Sequence, residues 1–279
     1  MPRVDAHVHL WDPIRGDYGW LTQEMTPLYR RFGHNDVKPL LDAANIEAAV
    51  LIQAATTSAE TDYLLAIAES LPWVLGVVGW VDFDAEDVVE QIARRAMHPK
   101  FVGIRPMLQD IADPLWILDP RRSRALKAME HHQLVFDALI RPLHLDVISQ
   151  VAGAHPDLTI VIDHAAKPSI GQELDQVWQS AMRRISRLSN VSCKISGLLT
   201  ELAPGTDTAM IAPHVETLLG LFEHGRLIWG SDWPVLTTAA TYAEWIRVSQ
   251  ECLATLDEAA LDGVMGGNAI RTYRVGDRR

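Results

Sequence analysis

Val4-Asp5-Ala6-His7-Val8-His9 is a short apolar run that carries two imidazoles at alternate positions. Seven further runs of similar length come after it: Ala48 to Gln53, Val74 to Val81, Phe101 to Met107, Leu134 to Leu139, Leu158 to His164, Val191 to Ser196 and Leu227 to Asp232. Most are almost continuously apolar, as strands covered on both faces are, whereas a strand wet on one side would alternate with polar residues. Longer amphipathic stretches separate them, which is the pattern of parallel strands joined by helices.

The intervening stretches carry helix punctuation. Thr57 with Glu60 predicts a capping box, Asp84 precedes an acidic first turn, and Asp119-Pro120 combines an N-cap with a proline at the first helical position. Pro72, Pro99 and Pro156 mark helix ends, because proline cannot continue the ladder. Eight strand-helix units in 279 residues predict one α/β domain over residues 1–279, a single-domain (β/α)₈ TIM barrel. A doubly wound sheet would more often carry a glycine-rich phosphate loop after its first strand, and this chain has none after His9. It has instead a long excursion from Trp11 to Asn35 holding Trp11, Tyr18, Trp20 and Tyr29. The excursion reads either as a cover over the barrel mouth or as a surface loop with its own aromatic cluster.

Acidic residues outnumber basic ones by 36 to 25, giving a net charge of −11, and no basic cluster suits a phosphate backbone. Nucleic acid is excluded as a partner. No stretch reaches the ~18 apolar residues of a membrane span, and the N-terminus lacks a charged segment leading into an apolar run, so the expected address is the cytoplasm. Cys193 and Cys252 lie far apart without metal-ligand spacing, which suits a reducing compartment, and Cys193 reads as buried packing in a strand.

His7 and His9, two apart on a strand, point to the same face and can converge on one point inside the barrel. His164 closes the sixth run and Asp232 the eighth, so all four groups fall at the carboxyl ends of strands, where barrel enzymes place their chemistry. Four such groups make a poor neutral core, since an unpaired buried carboxylate is costly. His7, His9, His164 and Asp232 are therefore the predicted catalytic set. The eight other histidines, His34, His98, His131, His132, His144, His155, His214 and His224, fall in helices or loops and read as solvated.

The ordered motifs Asp5-Ala6-His7-Val8-His9-Leu10-Trp11, Gly76-Val77-Val78-Gly79-Trp80, Gly103-Ile104-Arg105, Asp163-His164-Ala165-Ala166-Lys167-Pro168, Cys193-Lys194-Ile195-Ser196-Gly197-Leu198 and Gly230-Ser231-Asp232-Trp233-Pro234 resemble the amidohydrolase superfamily. Within it they look like the branch of L-fuconolactone and related sugar-lactone hydrolases, over Val4 to about Tyr273. The resemblance implies that Asp232 takes a proton from the attacking water and returns it to the leaving group. His7, His9 and His164 would either hold a divalent ion or donate to the developing oxyanion. Three histidines and an aspartate match the ligand number of one zinc. Binuclear relatives need a bridging carboxylated lysine and a further histidine on the middle strands, where this chain has Arg105 and Asp137. At most one divalent ion, zinc, is expected, weakly bound or dispensable.

A hydroxylated substrate wants hydrogen-bonding side chains and an aromatic face. The strand ends offer Gln53, Trp80, Arg105, Gln109, Asp137, Lys194 and Trp233, and Trp11 of the first loop adds a wall. Arg105, Lys167 and Lys194 read alternatively as ion-pair partners of Asp137 or Asp163. A dicarboxylate would call for several arginines at the mouth, and only Arg105 clearly sits at a strand end. That favours a neutral lactone of the L-fucono, L-rhamnono or galactono type, with Lys167 and Lys194 keeping an acidic one open. No Gly-x-Ser-x-Gly elbow points to a serine mechanism, so direct attack by water is expected. The alternatives are a dicarboxylate-lactone hydrolase or metal-dependent decarboxylase on the same scaffold, and an inactive barrel with a binding or assembly role. The sequence leaves a homo-oligomer open.

Overall fold

The computed structural model describes residues 1–276. Its eight strands are β1 (Val4–Val8), β2 (Ala48–Ile52), β3 (Val74–Gly79), β4 (Phe101–Ile104), β5 (Val135–Ala138), β6 (Ile160–Ile162), β7 (Val191–Ile195) and β8 (Leu227–Trp229). Each pairs in parallel with the next in chain order. Every predicted run holds a strand, but the pairing stops one to three residues before each predicted end. His9, Gln53, Arg105, His164 and Asp232 therefore stand just beyond their strands, on loops at the carboxyl rim. The ends meet at that same rim: the His9 amide donates to the Trp233 carbonyl at 2.7 Å and the Asp232 amide to that of His7 at 2.9 Å. Closure of the barrel and placement of the site are thus one set of bonds.

The helices covering the sheet are α1 (His34–Ala43), α2 (Ser58–Glu69), α3 (Val88–Ala96), α4 (Ser123–His131), α5 (Leu145–Ala154), α6 (Gln176–Ile185), α7 (Ile211–Leu221) and α8 (Tyr242–Cys252), followed by the short α9 (Glu258–Asp262) and α10 (Asn268–Thr272). None is long and apolar enough to cross a membrane. Two apolar layers result. One lies between sheet and helices, and includes the fully buried Cys193. The other joins inward-facing Ala6, Val50, Val102, Val161 and Ile228 to Tyr273, whose ring enters the barrel just after α10. The strands approach closely enough inside to need small residues: a Cβ on Gly76 would stand 2.7 Å from both Val102 methyls, an overlap of the kind that costs ~1–3 kcal/mol.

Local details correct three expectations. Thr57 caps α2 by accepting from the Glu60 amide, but the Glu60 carboxylate does not return to complete the box; it reaches the Ala54 and Ala55 amides instead. Asp84 caps nothing, since α3 begins after Asp87, and pairs with Arg122 at 2.6 Å. His144, His155 and His214 are buried and partnered, His144 by the Arg141 amide, His155 by Glu130 of α4 and His214 by the Met210 carbonyl, with the Trp178 ring of α6 beside it, because neighbouring segments pack over them.

Candidate active site

A register shift in β1 between Asp5 and Val8 re-aims the strand as it leaves the sheet. The rings of His7 and His9 then sit 4.9 Å apart, and His164 comes within 4.4 Å of His7. Two of the four predicted residues take left-handed backbone conformations that side chains rarely adopt, His164 with φ 52° and Asp232 with φ 62°. Such strain persists only where the surroundings over-determine it. Behind them Gly197, at φ +64°, leaves room that nothing else can: a Cβ there would lie 2.6 Å from His164 Nδ1 and 3.2 Å from Asp232 Oδ2.

The four side chains meet at one atom. Asp232 Oδ1 has His9 Nε2 at 3.2 Å, His7 Nε2 at 3.6 Å and His164 Nε2 at 3.9 Å. The outer ring nitrogens are held from behind, His9 Nδ1 by the Ile52 carbonyl at 2.8 Å and His164 Nδ1 by Ser196 Oγ at 2.9 Å. Burial opposes charging of all three imidazoles, pushing His7 well below its usual value, His9 downward and His164 to about 4. Burial alone would raise the Asp232 carboxyl, but the facing imidazoles, His164 foremost, bring it below the ordinary carboxylate range. The site therefore favours an ionised Asp232 facing imidazoles whose charging burial opposes. Two groups of ligating atoms lie within 4.8 Å of one another, His7–His9–Asp232 and His7–Asp163–His164.

A cavity of about 220 Å³ opens above this cluster, reached by His9, His164, Asp232 and Arg105. Trp11 and Trp20 from the first loop form one wall and Gln109, Asp110 and Lys167 the other side. Both readings of the Trp11–Asn35 excursion hold together: Trp11 packs edge-on against Trp20 and Phe32, and the same ring faces the cavity. Tyr29 stays outside, partly exposed.

Trp11, Arg105 and Gln109, predicted to bind substrate, line the cavity. Five others do not. Gln53 is buried behind Arg105, whose guanidinium donates to its Oε1. Asp137 and Lys194 pair at 2.6 Å beneath the floor with no exposed surface. Trp233 packs edge-on against Phe32, and Trp80 faces a neighbouring groove with Phe83 and Trp116. The polar ones fail for one reason: an interior-facing charge on a closed barrel is reached first by another interior charge.

Sequence reasoning left Asp163, Ser196, Trp20 and Tyr273 outside the site. Asp163 accepts from Arg105 Nη1 at 3.2 Å, and Tyr273 donates to Asp137 at 2.9 Å. The signal for Asp163 was present, since a carboxylate ending an apolar strand needs a partner. Nothing in the sequence ties Tyr273, 136 positions away, to Asp137.

Comparison with known proteins gives concordant results. The amidohydrolase family model matches residues 4–275. A protein from Burkholderia ambifaria named L-fucono-1,5-lactonase is 43% identical over 277 residues, covering 98% of this chain and 96% of its own. Another of that name, from Burkholderia multivorans, is 31% identical over 97% of this chain and 95% of its own. Among solved structures, an amidohydrolase from Burkholderia multivorans with bound zinc superposes with a TM-score of 0.93 at 30% identity, covering 99% of this chain and all of that one.

Proposed function

From its membership of the amidohydrolase family, which the match over nearly the whole chain establishes, we propose that this protein hydrolyses a sugar 1,5-lactone to the aldonic acid. It is a lactone hydrolase, and L-fucono-1,5-lactone is the first substrate to try, given the relatives at 43% and 31% identity. The observation that carries the mechanism is the convergence of three imidazole nitrogens on Asp232 Oδ1 beneath an open cavity.

Asp232 acts as the base. It accepts one proton from a water whose oxygen bonds to the lactone carbonyl carbon. The acyl carbon to ring-oxygen bond then breaks, and the same proton passes from Asp232 to that oxygen, leaving a carboxylic acid. Positioned proton transfer of this kind contributes typically ~10²–10⁴-fold. His164, fixed through Ser196, supplies a donor for the oxyanion formed on attack, and the Arg105 guanidinium, whose N–H groups are taken by Gln53, Asp163 and His7, adds a fixed positive charge at the cavity. Trp20 offers an apolar face to the C–H side of the sugar with the buried Trp11 packed edge-on behind it, and Gln109 offers an amide to its hydroxyls. An uncharged lactone suits a cavity where Lys167 and Arg105 stand against Asp110 and Asp232.

The donor set also fits one divalent ion, zinc, held by His7, His9 and Asp232. His9 Nδ1 is committed to the Ile52 carbonyl, so its Nε2 presents a lone pair, with His7 and Asp232 atoms within 4.8 Å. When bound, the ion would polarise the carbonyl and acidify the water. Arg105 Nη1 lies 3.3 Å from His7 Nε2 and contends for the same lone pair, which supports weak retention.

The test is a panel of L-fucono-, L-rhamnono- and galactono-lactones, followed by acid release at constant pH with and without chelator. An L-sugar lactone is turned over, and chelation removes part of the rate at most. If no member of the panel reacts faster than with the Asp232→Asn protein, the reading is wrong.

A further inference from the structure

Lys194 lies in the middle of β7 with its side chain inside the barrel and no surface exposed. Its ammonium nitrogen stands 2.6 Å from Asp137 Oδ2, 3.0 Å from Asp163 Oδ1 and 3.3 Å from His7 Nδ1. These are two carboxylate oxygens and an imidazole nitrogen, brought by β5, β6 and β1 around one point. The carboxylate pair is the donor set of a hard cation, with a lysine in the middle.

Asp163 Oδ1 sharpens the point. It is buried and makes no hydrogen bond. The ammonium 3.0 Å away is off the hydrogen-bonding direction, so the contact is ionic and undirected, of the kind a spherical cation makes. Asp163 also belongs to the second of the two ligating groups, with His7 and His164. The charges already balance: Asp137 and Asp163 carry two negatives, and Lys194 and Arg105, both within 3.2 Å of one of them, carry two positives. A divalent ion entering beside Asp163 would meet an ammonium at close range and find no charge to neutralise.

We propose that Lys194 is a permanent internal cation standing in a second cation site, so that the chain admits one divalent ion at His7–His9–Asp232 and excludes another. Lys194 is then a positioning residue. Its charge fixes Asp163, whose Oδ1 faces His7 Nδ1 at 3.4 Å, so that the Nε2 side stays turned toward Asp232. The inference deepens the proposed function and rests on it only for the number of ions at the first site.

The experiment compares zinc bound per chain after equilibration with Zn²⁺ and desalting, measured by elemental analysis, for wild type, Lys194→Ala and Lys194→Ala/Asp163→Asn. Removing the ammonium leaves one buried negative charge uncompensated beside the Arg105–Asp163 pair, and Lys194→Ala takes up one zinc more than wild type. Removing Asp163 as well returns the count to that of wild type. A wild-type count of zero rather than one contradicts the zinc reading of the first site and leaves the predicted difference intact. Equal counts in wild type and folded Lys194→Ala overturn the proposal, and so does an extra zinc that survives loss of Asp163. Should Lys194→Ala be recovered only unfolded, refolding with Zn²⁺ and with chelator decides. The proposal requires that zinc restore the fold, and equal failure in both overturns it.

Discussion

His9 Nε2 lies 3.2 Å from Asp232 Oδ1, while His9 Nδ1 is bound to the Ile52 carbonyl at 2.8 Å. The carbonyl accepts only a proton, so Nδ1 carries it and Nε2 presents a lone pair toward a carboxylate oxygen. Two acceptors held this close are unfavourable unless a proton, a water or an ion lies within reach of both. Asp232→Asn removes the base while preserving shape. Its kcat should fall by ~10²–10⁴-fold, with the unfolding midpoint at or below that of wild type, because the folded site favours this carboxyl ionised. Steady-state rates and a thermal melt check both, and an undiminished kcat removes Asp232 from the chemistry.

Gly197 governs where His164 points. An alanine there must hold φ +64° and place its Cβ 2.6 Å from His164 Nδ1, in the space next to the Ser196 hydroxyl bond. The backbone strain is worth roughly 1–2 kcal/mol, a modest loss of stability. The displaced imidazole costs more in function. Gly197→Ala should lose activity by about 10²-fold, the scale of misplacing a catalytic group by an ångström, with a melt lowered by only a few degrees. Activity within twofold of wild type would show that the orientation of His164 does not matter.

The β/α alternation and the positions of all eight strands were legible because parallel strands buried on both faces must be apolar throughout. The convergence of the four predicted residues was legible for the complementary reason: His7, His9, His164 and Asp232 interrupt that apolarity at the same end of their strands. Depth was not legible. Gln53 and Arg105 are both polar residues at strand ends, yet Arg105 reaches the cavity and Gln53 sits behind it as its acceptor. Both lie one residue past their strands, β2 and β4, so position along the strand does not decide which of the two comes forward. Likewise Trp233 closes against Phe32 of the first loop and Trp80 lines a groove with Phe83 and Trp116, placements no local pattern announces.

Trp20 ties the first loop to the barrel rim. Its indole nitrogen donates to the Ala54 carbonyl at 2.6 Å across the cavity edge, and its ring packs on Trp11 at 5.4 Å. Trp20→Ala deletes a wall and an anchor while leaving Asp232, His164 and Arg105 in place. The expected result is a KM raised about tenfold with kcat changed less than about threefold, the pattern of lost binding common to ground and transition states. A fall in kcat with KM unchanged would assign the loop to the chemical step instead.

Glu60 is a fully buried carboxylate at the start of α2 that accepts from the Ala54 amide at 2.8 Å and the Ala55 amide at 3.0 Å. It fixes the segment whose Ala54 carbonyl receives Trp20 and whose Gln53 carbonyl receives Arg105. Burial pushes its carboxyl up from 4.5 to about 7, the two amides and Arg105 opposing and Asp17 adding to the rise. With the folded value above the unfolded one, the folded protein holds this proton more tightly. The contribution is fully present below pH 4.5 and is lost as pH rises through about 7. At roughly 1.4 kcal/mol per unit, the swing is on the order of 3 kcal/mol. Glu60→Gln does not titrate and leaves one amide without an acceptor. It should therefore be the less stable protein at pH 5, with the gap to wild type narrowing toward pH 8. Urea midpoints of the two proteins at pH 5, 6, 7 and 8 measure the gap directly. A gap that stays constant over that range means the carboxyl is ionised throughout, its two amide bonds outweighing burial.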